Sequence, residues 1–337
     1  MPQLHFNDVT YQCAANETVL EALTRQGAAI PSSCRNGVCQ TCLMQSADAN
    51  VPSTAQNGLK PTLQAQNYFL ACVCHPAGDM TVTLPDHADR LLPATVTAIR
   101  QLNNEIKCVG LDCPMLQDYH AGQFINLYRD NASVRSYSLA SMPTDDYLHL
   151  HVRRLPNGRV SNWIHDQLKV GDSVQISAPL GSCFYLHDAP QQPLLLIGTG
   201  SGLAPLIGIV RDALAQQHTG EIYLYHGSHD AAGLYLVDEL REMAERYPNF
   251  HYVPCVSGTD APTQYQAGRA MEIALVAHPD LAGWRVFLCG NPNMVNTARK
   301  KAYLAKAAIN DIYADAFLAA DVKALEISRR PVGLEES

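Results

Sequence analysis

The sequence predicts a multidomain chain of three successive folds: a strand-rich α+β segment, an antiparallel β-barrel, and an α/β segment built on a parallel sheet. Three observations predict this. Five of the eleven cysteines crowd between positions 34 and 74, in a stretch of short strands with one clear helix. From about residue 94 to 187, short alternating runs recur at fairly regular intervals between turn residues, the pattern of antiparallel strands. From residue 193 onward apolar runs alternate with helical stretches, the βαβ rhythm that sets a parallel sheet between helices. A chain of 337 residues has room for this division, since domains commonly hold about 100–200 residues.

Composition narrows the function. Lys+Arg of 24 against Asp+Glu of 32 gives a net charge of −8, which argues against a nucleic-acid binder, because such proteins need a basic footprint. No apolar run approaches the roughly eighteen residues of a membrane span. Met1-Pro2-Gln3-Leu4-His5 has neither a basic region nor an apolar stretch of signal-peptide type, so a cytoplasmic location is expected. An odd number of cysteines without an export signal argues against a disulfide framework. The clustered cysteines read as metal chemistry and the scattered ones as buried apolar thiols.

In the first segment, residues 1–86, Leu4-His5-Phe6 and the run 9–13 flank an Asn7-Asp8 turn, a hairpin pattern. Asn16 is placed to cap a helix over 17–26 that Gly27 stops, and a strand is expected over 80–84. The stretch 87–93 reads as a linker. In the middle segment, 94–188, strands are expected at 94–99, 106–111, 123–128, 136–140, 147–152 and 173–177, with a short helix at 161–168. In the last, 189–318, strands are expected at 194–197, 222–225 and 286–288 and helices at 204–217, 236–246 and 294–306. A tail, 319–337, follows.

Cys34, Cys39 and Cys42 are spaced C-x4-C-x2-C, and Cys72 follows after 29 more residues. That run is the one used by plant-type [2Fe–2S] clusters. Three thiolates on one tight loop can wrap a small cluster while a fourth from a later strand closes it. The loop from Ser32 to Cys39 is rich in small polar residues, and Gly37 can take positive φ, so backbone N–H groups can turn toward the sulfurs. Structural zinc is the competing reading, but zinc sites usually pair C-x2-C at both ends. In Leu70-Ala71-Cys72-Val73-Cys74 either cysteine can be the fourth ligand; the long gap favours Cys72. Residues 1–86 resemble a plant-type ferredoxin domain of the α+β β-grasp type. The resemblance implies Cys34, Cys39, Cys42 and Cys72 as metal ligands.

Arg135-Ser136-Tyr137-Ser138 reads R-x-Y-S on an expected strand, and some twenty residues later Leu155-Pro156-Asn157-Gly158-Arg159-Val160-Ser161 opens a short helix. A helix start with a Ser hydroxyl and free N–H groups suits an anion, and an Arg on a neighbouring strand adds charge-assisted contacts; alternatively Ser161 only caps its helix. Taken in order, the two motifs resemble the flavin-binding barrel of the ferredoxin–NADP reductase superfamily. The resemblance implies that Arg135 contacts the flavin pyrophosphate, Tyr137 stacks on the ring and Ser138 approaches its N5. It also implies that Gly158, Arg159, Val160 and Ser161 cradle the phosphates, with Ser136 and Val152 among the contacts. Pro179-Leu180-Gly181-Ser182-Cys183-Phe184 resembles the segment that closes the barrel. FAD is implied over FMN.

Gly198-Thr199-Gly200-Ser201-Gly202-Leu203 joins an expected strand to a helix. It is not G-x-G-x-x-G, since Leu203 stands where the third glycine would be, yet it keeps the logic of glycines that let backbone approach a pyrophosphate at a helix start. It resembles the glycine signature of the same superfamily, as Leu288-Cys289-Gly290-Asn291-Pro292-Asn293-Met294-Val295 resembles its C-G-x-P-x-M-V. Gly198, Thr199, Gly200, Ser201, Gly202, Cys289, Gly290 and Pro292 are thereby implied as nicotinamide-dinucleotide contacts, with Tyr137, Ser138 and Cys289 at the reaction. NADPH-specific relatives place an Arg where this chain has His229-Asp230, which favours NADH over NADPH. Phe317, in Ala314-Asp315-Ala316-Phe317, is either a flavin neighbour or a core aromatic.

The order of the three parts resembles the single-chain reductases of multicomponent oxygenases, such as those of benzoate, phenol and methane oxidation. The resemblance implies electron flow from NADH through FAD to [2Fe–2S] and on to a protein acceptor, an oxygenase component. The alternative is the same chain serving another acceptor, such as a deoxysugar dehydrase. No acid–base triad is expected, and His149 and His151 read as satisfied strand histidines.

Overall fold

The computed structural model describes residues 2–317 apart from 31, 33–36, 38, 39, 41, 49, 86–90, 117, 131, 132 and 260. The first unit contains β1 (Gln3–Phe6), β2 (Val9–Gln12), α1 (Val19–Arg25), β3 (Leu43–Ser46), α2 (Pro61–Ala65), β4 (Tyr68–Leu70) and β5 (Met80–Thr83). Its mixed sheet has the order β2-β1-β5-β3-β4. Asn7 and Asp8, at φ 50° and 60°, form the hairpin turn, both left-handed as a two-residue hairpin of matching twist requires. Asn16 does not cap α1. It lies in the preceding turn at φ 64°, and Thr18 caps: its Oγ1 accepts from Glu21 N at 3.2 Å while Glu21 Oε2 accepts from Thr18 N at 2.9 Å. This reciprocal box satisfies two otherwise orphaned donors.

The second unit contains β6 (Leu92–Gln101), β7 (Ile106–Asp112), β8 (Phe124–Asp130), β9 (Ser133–Ser138), β10 (Leu148–Arg153), α3 (Arg159–Asp166) and β11 (Ser173–Ile176). Leu92 and Pro93 therefore belong to the barrel and not to the linker expected over 87–93. They pair with Ile176 and Gln175. The antiparallel sheet has the order β10-β7-β6-β11-β8-β9, and a bridge from Leu139 to Leu150 brings its two ends together. A second bridge, Phe124 to Leu180, holds the segment beginning at Pro179 against the barrel.

The third unit contains β12 (Leu194–Thr199), α4 (Leu203–Ala215), β13 (Ile222–Ser228), α5 (Val237–Arg246), β14 (Phe250–Val256), β15 (Gln266–Ala267), α6 (Ala270–Ala277), β16 (Arg285–Gly290), α7 (Pro292–Leu304) and β17 (Ile312–Ala316). All its strand pairs are parallel, in the order β15-β14-β13-β12-β16-β17. The chain order reverses at β12, so the carboxyl ends of β12 and β16 flank a switch point, where open α/β sheets bind ligands. Among the described residues no helix is long and apolar enough to cross a membrane.

Candidate cofactor sites at the domain junctions

Cys42 and Cys72 lie beside one another at the ends of paired strands: Leu43 pairs with Leu70, and Ala71 N donates to Cys42 O. Burial pushes the Cys42 thiol up to about 11, and Cys72 is its hydrogen-bonding neighbour. Cys74 instead is fully buried and feels Cys13, and its carbonyl accepts from Val19 N under α1. Gly37 has φ +72°. Cys34 and Cys39 lie outside the described residues, among which no three candidate metal ligands converge. The adjacent thiols of Cys42 and Cys72 fit two of the four ligands of a four-thiolate cluster.

On the barrel, α3 packs against β9, the R-x-Y-S strand, but none of Arg135, Ser136, Tyr137 and Ser138 lines the cleft at the helix start. The Arg135 guanidinium donates to Val134 O at 2.6 Å, and Ser136 Oγ to Asn126 Oδ1 at 2.7 Å. Tyr137 is half-buried against the barrel core, and burial raises its phenol. Ser161 is buried, and its Oγ accepts from Leu155 N at 3.2 Å, so it ties the turn to the helix. A Cβ on Gly158 would sit 2.2 Å from that oxygen; only glycine lets the turn close so tightly. Gly158 and Arg159 border a cleft of about 340 Å³ with Arg129, Asn157, Trp163 and the carboxyl of Asp166, in which two guanidinium groups and an indole could meet a nucleotide diphosphate. Val160 and Val152 point into the barrel core, so any contact from Val152 comes through its backbone, whose carbonyl faces His165 Nε2 at 3.0 Å.

At the switch point the two glycine-bearing motifs touch. A Cβ on Gly202 would lie 2.3 Å from Cys289 O, and Asn291 N donates to Thr199 Oγ1 at 3.1 Å. Gly198 is buried, while Thr199, Gly200 and Ser201 are half-buried. Asn291 caps α7 through Asn293 N and Met294 N, with Pro292 in the first turn. The Cys289 thiol is fully buried, 3.8 Å from Cys183 Sγ of the barrel-closing segment. Burial holds it well above the ordinary thiol range. Phe317 N donates to Gly290 O at 2.9 Å, and the residue is half-buried.

The structure adds a residue that sequence reasoning passed over. Ser138 Oγ donates to Asp315 Oδ2 at 3.2 Å, and burial raises that carboxyl. Asp315 pairs with Cys289 in the sheet, so Ser138, Cys289 and Asp315 meet where barrel and parallel sheet join. The signal was an acidic residue in a short strand next to Phe317, but its partner lies 177 positions away. Arg129 and Trp163 were likewise missed. Of the histidines, His151 Nδ1 is 3.1 Å from Tyr235 OH, and His149 packs at 4.9 Å on Tyr147.

Family models match the chain in three successive blocks: a 2Fe-2S iron-sulfur cluster binding domain over residues 4–77, an oxidoreductase FAD-binding domain over 93–185 and an oxidoreductase NAD-binding domain over 196–300. The reductase subunit of an aromatic O-demethylase from Amycolatopsis sp. is 35% identical over 302 residues, 86% of this chain and 90% of that protein. The ferredoxin–NAD(P)(+) reductase component of a naphthalene 1,2-dioxygenase system from Pseudomonas putida is 31% identical, covering 90% and 94%. The crystal structure of the Amycolatopsis cytochrome P450 reductase GcoB superposes with a TM-score of 0.66 at 32% identity, covering 94% and 99%.

Proposed function

We propose, because this chain belongs to the single-chain [2Fe–2S] reductases of the ferredoxin–NADP reductase superfamily, that it passes electrons from NADH to the terminal component of a multicomponent oxygenase. It is an oxidoreductase that works with FAD, a [2Fe–2S] cluster and a nicotinamide dinucleotide. When bound, the flavin would supply the exchange between one hydride, which carries two electrons, and the single electrons that a [2Fe–2S] cluster accepts. The protein supplies position and electrostatics.

Cys34, Cys39, Cys42 and Cys72 hold the cluster. Arg135 and the Gly158–Ser161 turn hold the flavin pyrophosphate, with Arg129 and Trp163 alongside, and Tyr137 lies along the ring. The glycine turn from Gly198 to Gly202, with Cys289, Gly290 and Pro292, receives the dinucleotide at the switch point. Asp230, whose Oδ1 accepts from Gly233 N at 2.8 Å, follows β13 where NADPH-specific relatives carry an Arg, and a carboxylate there would disfavour a 2′-phosphate. The observation that carries this reading is the meeting of Ser138, Cys289 and Asp315 at one junction. A hydroxyl and a carboxyl held together there would orient the nicotinamide toward the flavin, with their alignment set before the nucleotide arrives.

The test mixes the cofactor-loaded protein with a purified aromatic-ring hydroxylase lacking its own reductase, and measures NADH-dependent hydroxylated product. Product formation is expected. Support of a deoxysugar dehydrase and of no hydroxylase would overturn the oxygenase assignment while leaving the electron path intact.

A further inference from the structure

Resting on that electron path, we propose that Lys60 is a positioning residue that seats the cluster domain on the edge of the nucleotide domain and thereby sets the rate of flavin-to-cluster transfer. Lys60 immediately precedes α2, with extended backbone at φ −60° and ψ 146°, and its side chain reaches out of the cluster domain to β17. Its Nζ donates to the carbonyl of Ile312 on β17 and lies 4.3 Å over the ring of Tyr313. That ring is itself fixed: it is fully buried and stacks on Phe287 at 5.2 Å and 18°. β17 is the edge strand of the parallel sheet, an edge that presents backbone groups for pairing. An ammonium there gains a carbonyl and an aromatic face at once.

The contact lies on a continuous physical path. On the cluster side, Gln40, between Cys39 and Cys42, donates from Nε2 to Gly58 O at 3.4 Å, two residues before Lys60. On the flavin side, Asp315 follows Ile312 by three residues on the same strand and binds Ser138. Neutral ties complete the seat: Gln123 Nε2 donates to Gln66 Oε1 at 3.0 Å, and Gln66 Nε2 to Gly181 O at 3.3 Å. Domains of one chain move relative to one another unless their interface is large, so a charged pin among a few amide contacts sets how long the two centres stay in register.

The experiment uses the full chain loaded with FAD and cluster, reduced by NADH in an anaerobic stopped-flow instrument that follows the flavin and cluster absorbances separately. In Lys60→Met, flavin reduction stays within twofold of the parent while the ratio of cluster to flavin reduction rates falls at least tenfold. Lys60→Arg returns that ratio to within threefold. Lys60→Gln takes the place of Lys60→Met where the latter loses a cofactor, with the same outcomes expected. A ratio unchanged in the neutral variant overturns the proposal, as does one that falls equally in Lys60→Arg, which marks the position as packing alone. Failure of NADH to bleach the parent protein's flavin would instead overturn the electron path itself.

Discussion

Ser138 and Asp315 share a hydrogen bond of 3.2 Å although 177 positions separate them in the chain. Neither motif contains the pair: Ser138 ends the R-x-Y-S strand of the barrel, and Asp315 lies in the last strand of the parallel sheet, beside Cys289. A half-buried carboxyl that accepts from a buried hydroxyl holds both side chains in place before any nucleotide arrives. Such pre-organisation lowers a barrier that depends on alignment.

Ser138→Ala and Asp315→Asn should each slow flavin reduction by NADH by about tenfold or more, the usual cost of a lost orienting contact, with flavin content unchanged. Burial raises the Asp315 carboxyl above its ordinary 3.8. As pH falls through that raised value Asp315 takes up a proton, so the acid limb of the pH–rate profile lies above 3.8 and disappears in Asp315→Asn. Stopped-flow rates from pH 4 to 8 check this; identical profiles for parent and variant would remove Asp315 from the reaction.

Cys42→Ser should leave hydride transfer to flavin intact and abolish most cytochrome c reduction, whereas Cys74→Ser should keep the cluster, because its thiol faces Cys13 in the core. Iron content and the cluster's visible absorbance decide the pair. Loss of iron in Cys74→Ser with retention in Cys72→Ser would exchange the two ligands.

Gly158→Ala should lose flavin, since its Cβ would fall 2.2 Å from Ser161 Oγ and force the turn open. Arg135→Ala should lower flavin occupancy through the lost charge-assisted contact. Flavin released per chain on denaturation measures both, and full occupancy in each would move the phosphate site elsewhere.

Acid should weaken the seam between barrel and parallel sheet. His151 and His226 are buried in the native state and held down to about 3 from 6.5, chiefly by burial and, for His151, also by His149, Arg100 and His226. Below pH 6.5 the unfolded chain binds protons that the native chain refuses, so stability is complete above 6.5 and drains away as pH falls toward 3. Melting temperatures at pH 7.5, 5.5 and 4.5 should fall steeply; a flat series would contradict this burial.

Much of the architecture was legible because its signals are local. Asn7-Asp8 between two apolar runs specifies its hairpin, and the glycine turn after the apolar run Leu194–Thr199 specifies a strand-to-helix junction. The cap of α1 was readable too: Thr18 with Glu21 three positions on is a capping box, although Asn16, two positions earlier, is also of cap type. β14 is hard to read from sequence because Pro254 sits inside it, and proline normally argues against a strand with neighbours on both sides. Asp315, Lys60 and the Cys183–Cys289 contact were not legible, since each acquires meaning only from a partner in another domain. The ligand choice between Cys72 and Cys74 likewise rests on which thiol faces Cys42, a fact of tertiary packing.

The most direct test of the central claim, a single path from NADH through flavin to cluster, is the visible spectrum of the purified protein during anaerobic titration with NADH. Flavin bands over a broad iron–sulfur shoulder, both bleached by NADH and far less readily by NADPH, are expected. A folded protein without flavin absorbance, or a spectrum that NADH leaves unchanged, would contradict the account.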